Sequence, residues 1–164
     1  MITTHADASR VRVATACDEP ELLELCRRNH VETGLGAFSP EKVRAVFRRA
    51  FDAGRNDPAV IGVVGDACIE GSIGLILEEP WASETAILTA RWNYVLPEFR
   101  ASTNLRDLTA FARRFALPRP AGWGVPVVVE AIATRKTEAL VKMYRRQLGE
   151  PVAVTWLCEA TEVH

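Results

Sequence analysis

The segment Tyr94-Val-Leu-Pro-Glu-Phe-Arg100-Ala-Ser-Thr-Asn-Leu105 brings a strand end, a proline-constrained turn and a helix start into immediate succession. The first backbone N–H groups of such a helix have no intrahelical acceptor, and the helix dipole puts partial positive charge at the same end. With Arg100 beside them these groups favour an anion, a diphosphate above all, each contributing roughly a kcal/mol when partly exposed. Ser102, Thr103 and Asn104 can cap the helix, the usual role of polar residues there, or donate to a phosphate.

Other side chains carry chemistry of their own. Glu130 is the one acid in the apolar run Val125 to Ala133. A carboxylate buried there must be paired or hold its proton tightly, which is the condition of a general base. Arg91 sits mid-strand between Thr89 and Asn93, where a cation suits an anionic group of a substrate, or an ion pair with a neighbouring strand. Pairing with Arg91 across the sheet is the competing explanation for Glu130. His30 and Glu32 close the first helix, and a two-residue separation sets no metal site by itself.

These residues need elements to hold them. Arg10 to Thr15 alternate as a short strand, and Asp18 with Glu21 signals a helix start ahead of Leu22, Leu25, Cys26 and His30, with Gly34 and Gly36 ending that helix. After Ser39-Pro40-Glu41, the stripe Val43, Val46, Phe47, Ala50 and Phe51 gives a second amphipathic helix, closed by Gly54. Ala59 to Val64 and Ile69 to Leu77 are β-rich runs around a Gly65-Asp66 turn, an antiparallel hairpin. A long strand follows from Glu84 to Val95, with Leu88, Ala90, Trp92 and Tyr94 expected on one face and Ile87, Thr89, Arg91, Asn93 and Val95 on the other. Leu105, Leu108, Phe111, Ala112 and Phe115 recur at helical spacing until Pro118. Val125 to Ala133 reads as a strand buried on both faces, Thr134 leads into a helix with Leu140, Val141, Tyr144 and Leu148, and Val152 to Cys158 is a last strand.

The resulting order, βααβββαβαβ, defines an α/β chain of the α+β type, with one mixed sheet covered by helices. At 164 residues and 48% hydrophobic, the chain reads as a single domain over 1–164 that buries a core without disulfides or metal. The four cysteines form no C-x-x-C pair, which suggests neither a zinc site nor a disulfide framework. Charges nearly cancel, 20 basic against 21 acidic, so no global field recruits nucleic acid or an anionic membrane, and neither is expected as a partner. The start MITTHADASR lacks the basic and apolar regions of a signal peptide, and a cytoplasmic protein is expected.

The succession V-x-P-x-x-R after the fourth strand, a helix, an apolar strand and then A-L-V-K-M-Y-R-R-Q-L-G resembles the GNAT N-acetyltransferase superfamily, from Val11 to about Leu157. The resemblance implies a GNAT-like, mainly antiparallel sheet flanked by helices, whose fourth and fifth strands splay apart around the pantetheine arm of acetyl-CoA. It implies backbone contacts at Tyr94 and Val95, and diphosphate contacts at Arg100, Ala101, Ser102, Thr103, Asn104 and Leu105. Thr103 and Leu105 stand where the family's Q/R-x-x-G-x-G/A turn has glycine or alanine, and side chains there narrow the approach of backbone to phosphate.

Tyr144 matches the tyrosine that in this family often protonates the departing thiolate of coenzyme A. An acid on the fourth strand often takes the amine's proton, but this strand offers Thr89, Arg91 and Asn93. Glu130 is then the first candidate base, with Glu84 and Glu32 as others. The family tends to bring loops over the acceptor pocket near the end of the first helix, so His30 and Glu32 are expected at the acceptor, a small-molecule or peptide amine, with the Arg91 cation suited to an anionic group on it. A homodimer joined at sheet edges is a further expectation. The rival is a catalytically silent acyl-CoA sensor or protein-interaction module that keeps the fold.

Overall fold

A computed structural model describes residues 10–33, 36–52, 59–82, 84–117, 123–130 and 137–151. The element order is β1 (Arg12–Val13), α1 (Glu19–Thr33), α2 (Pro40–Phe51), β2 (Ala59–Val64), β3 (Gly71–Glu78), β4 (Ile87–Val95), α3 (Asn104–Phe115), β5 (Val127–Val128) and α4 (Thr137–Leu148), with single 3-10 turns at Ala16–Asp18 and Pro97–Phe99. The strands lie in sequence order in one sheet, antiparallel from β1 to β4, with β5 parallel to β4. This is the mixed, helix-flanked sheet that the sequence predicts. The expected last strand, the Gly34 and Gly54 stops and the residues after Glu130 up to Thr134 lie outside the described residues. Among the described residues no helix is long and apolar enough to cross a membrane.

The sheet separates two apolar clusters. On one face α3 packs Leu108, Phe111 and Ala112 against Val60, Ile73, Leu75, Leu88 and Ala90. On the other, α1 and α2 bring Leu22, Leu25 and Phe47 against Ile61, Val63, Trp92 and Tyr94. Both faces of β2 and β3 are therefore covered, which is why their sequences are nearly continuous apolar runs.

Several boundaries differ from the sequence reading, each for a local reason. The turn into α1 is capped by a reciprocal Thr15–Asp18 pair, not by Asp18 with Glu21. Asp18 also takes two hydrogen bonds from Arg12, at 2.8 and 2.7 Å. Glu21 instead accepts from the Ile69 amide at 2.9 Å and ties α1 to the loop before β3. That loop is longer than a two-residue turn: Val64 pairs with Gly71, so 65–70 form the connection. Strand β4 starts at Ile87 rather than Glu84. Strand β5 is short and half-buried instead of long and buried on both faces.

The largest correction concerns the faces of β4. Leu75 pairs with Ala90 but Gly74 pairs with Trp92, so Arg91 is an extra residue, a β-bulge. The bulge inverts the alternation. Leu88 and Ala90 face α3, whereas Trp92 and Tyr94 face α1 and α2. Asn93 and Val95 consequently turn to the α3 side, where Val95 joins the core and Asn93 reaches Thr109. Gly74 makes room for the bulged strand: a Cβ there would lie 2.3 Å from the Trp92 ring.

Candidate active site

The ladder between β4 and β5 consists of Leu88 with Val127 and Thr89 with Val128. Immediately past these rungs β4 bulges at Arg91, and a cleft of about 870 Å³ opens beside Ala90 to Val95. Its walls come from the end of α1 (Asn29, Glu32), the β4–α3 turn (Phe99, Arg100, Ser102, Leu105), Glu130 and α4 (Met143, Tyr144).

The β4–α3 turn, expected to hold an anion, leaves backbone amides rather than side chains unengaged. Arg106 and Asp107 both give their amides to Thr103 O, and Asn104 gives its amide to Ser102 Oγ at 3.2 Å. The amides of Ala101, Thr103 and Leu105 have no acceptor among the described residues. Ser102 is the residue that caps, donating also to Phe99 O at 2.6 Å. Thr103 bonds Asp107 and accepts from Arg10. Asn104 is fully buried and donates to Glu70 at 2.7 Å, so its side chain is turned away from a phosphate rather than toward one.

Arg100 is committed within the protein. Its Nε donates to Val95 O at 3.0 Å, its terminal nitrogen to Glu32 at 2.6 Å, and the guanidinium lies 5.2 Å over the Tyr94 ring. Tyr94 donates its hydroxyl to the other Glu32 oxygen at 2.6 Å. Burial works to raise the Glu32 carboxyl, but these two donors outweigh it and hold it below the usual range. Glu32 is thus a carboxylate of low basicity on the cleft wall, poorly suited to take a proton.

Glu130 lines the cleft, but it is exposed rather than buried, because it lies beyond the last rung of β5. No bond joins it to Arg91, which pairs with Glu78 on the adjacent strand. Arg91 itself stands at the cleft edge, carried there by the bulge. His30 is not brought into the cleft: Nε2 lies 2.9 Å from Gly36 O and the ring contacts Phe38. Glu84, on the exposed segment before β4, is not on the cleft wall either. No metal-binding group of side chains occurs among the described residues.

Tyr144 lies in the cleft wall with 8% exposure, and burial pushes its pKa up to about 12, against a lowering by the Asn93 amide. Asn93 Nδ2 donates to the Tyr144 hydroxyl at 3.2 Å. The phenolic oxygen is therefore an acceptor toward Asn93, and its own hydrogen remains available to the cleft. Sequence reading places Asn93 on the inward face but gives no sign of this bond, because 51 residues separate the partners.

A mixed sheet bulged in β4, a cleft beside β4 past the last β4–β5 rung and a helix N-terminus at its rim give the chain a GNAT-like fold. Solved structures agree with that reading. An integron cassette protein from the mobile metagenome of Cole Harbour Salt Marsh is similar over 100% of this chain and 97% of its own, at 18% identity and a TM-score of 0.69. A probable acetyltransferase matches 94% of this chain and 98% of its own, at 18% identity and a TM-score of 0.65. AAC(6')-Iy, solved in complex with the bisubstrate analogue CoA-S-monomethyl-acetylneamine, matches 92% of this chain and 97% of its own, at 11% identity and a TM-score of 0.66. The sequence itself matches no family model and no curated protein.

Proposed function

We propose that this protein is an acetyl-CoA-dependent N-acetyltransferase that acetylates a primary amine by direct attack on the thioester. The observation that carries the reading is a cleft past the last β4–β5 rung whose wall holds both Leu105, with its unpaired amide at the start of α3, and Tyr144. The amides and the α3 dipole suit the diphosphate. The edge of β4 at Tyr94 and Val95 suits the amide-bearing pantetheine arm, as an added strand would.

In the reaction the neutral amine forms a bond to the thioester carbonyl carbon, and the carbon–sulfur bond breaks. Tyr144 gives its proton to the departing sulfur, and the nitrogen loses a proton to Glu130 or to water in the open cleft. Glu130 fits this part because it is a cleft-facing carboxylate with solvent access. Arg91 and Glu32 frame the acceptor end.

Two measurements test the proposal. Calorimetry should show acetyl-CoA binding at micromolar affinity or better, and Tyr144→Phe should lower kcat by roughly 10²-fold while leaving that affinity nearly unchanged. Absence of acetyl-CoA binding would sink the reading. Binding without transfer to any amine in a broad panel would favour a silent acyl-CoA sensor instead.

A further inference from the structure

Thr109 is fully buried on α3 and donates its hydroxyl to Leu105 O at 2.8 Å. Its single hydrogen is spent there, so toward Asn93 it can only accept. Asn93 Nδ2 lies 3.1 Å from that oxygen, which fixes the nitrogen end of the amide toward Thr109. The second hydrogen of the same nitrogen goes to the Tyr144 oxygen. A chain of directed hydrogen bonds thus runs from the first turn of α3 to the phenol: Thr109 to Leu105, then Asn93 to both Thr109 and Tyr144.

The arrangement carries a cost. Asn93 Oδ1 is buried and has no hydrogen-bond partner. Leaving a buried acceptor unpaired is unfavourable, and an apolar side chain of similar size would avoid it. What asparagine supplies in return is a donor pair, one hydrogen for Thr109 and one for the phenol.

We infer that Asn93 is a positioning residue: locked by Thr109, it occupies the acceptor side of the Tyr144 hydroxyl and so aims the phenolic hydrogen into the cleft. The role rests on the reading of Tyr144 as the proton donor. It extends to the helix that offers amides to the diphosphate, since Leu105 contributes its free N–H to that site and its carbonyl to Thr109. Placement of the cofactor and aim of the proton then share one turn of α3.

Asn93→Asp is the informative substitution, because the carboxylate keeps the size but can only accept. It draws the Tyr144 and Thr109 hydroxyls toward itself and turns the phenolic hydrogen away from the cleft. The expected result is a fall in kcat of about 10-fold or more, with KM for acetyl-CoA little changed and no further fall when Tyr144→Phe is already present. Thr109→Val, which frees the Asn93 amide to rotate, should act in the same direction.

A second readout needs no turnover. The protein has two tyrosines, so an isotopic carbon label at tyrosine Cζ gives two resonances, assigned with Tyr94→Phe, and the Tyr144 signal should move in folded Asn93→Asp and Thr109→Val. An unmoved Tyr144 resonance, or a loss of kcat in Asn93→Asp undiminished by prior Tyr144→Phe, would overturn the positioning role. Full turnover in Tyr144→Phe would sink the proton-donor reading by itself, independently of the resonance.

Discussion

Tyr144 illustrates how much a side chain's chemistry depends on its surroundings. Burial pushes its pKa up to about 12, so the hydroxyl stays protonated throughout the physiological range, which a donor requires. The pH dependence follows in sign: raising pH increases the neutral fraction of the amine, while Tyr144 loses its proton only near the top of the accessible range. The kcat/KM profile should therefore rise with pH and show no alkaline limb from the phenol below about pH 11. An alkaline limb with an apparent pKa near 10 that disappears in Tyr144→Phe would contradict this. The tyrosine itself is legible in the sequence through its M-Y-R-R-Q-L-G setting. Its partner is not, since a helix and strand distant in the chain meet only in the fold. Glu130 shows the reverse error: an acid in an apolar run looks buried, yet the strand ends before it and leaves it in the open cleft.

The elements were largely readable from periodicity, and the failures have a common cause in local backbone events that leave no period. The bulge at Arg91 is the clearest case. Alternation in Leu88 to Val95 looks unbroken, but one extra residue reverses which side chains meet α3. The clue lay on the opposite strand, where Gly74 leaves space for Trp92. Gly74→Ala should force that ring or the bulge to shift and cost about 1–3 kcal/mol in denaturant unfolding; no measurable loss would show that the strand adapts freely. The entry to α1 offers a test of another kind. The Arg12 side chain, with a smaller contribution from the Thr15 amide, holds Asp18 well below the usual carboxylate range. A carboxyl whose folded pKa is depressed stabilises the fold above its unfolded pKa of about 3.9, and the contribution is lost as pH falls toward the folded value. Asp18→Asn should thus be less stable than the parent above about pH 5, with the two curves converging as the solution becomes more acidic.

Across the chain as one body, one face of the sheet is filled by α1 and α2 and the other by α3, while the cleft opens beside β4 between the end of α1, the β4–α3 turn and α4. With a net charge of −1, the proposed function requires local amides, not a general field, to attract the diphosphate. A ligand held at the start of α3 should couple directly to folding, because that helix lies beside the cleft only when it is docked on the sheet. Acetyl-CoA at about 100 times its Kd should add roughly 2.7 kcal/mol to the stability of the folded chain. For a domain of this size that corresponds to an upward shift in Tm of about 5–10 °C. If the turn holds the diphosphate as proposed, coenzyme A without the acetyl group should give nearly the same shift, whereas pantetheine lacking the diphosphate should give little. A shift of equal size with pantetheine alone would place the binding energy along β4 rather than at the helix N-terminus, and would remove the turn from the cofactor site.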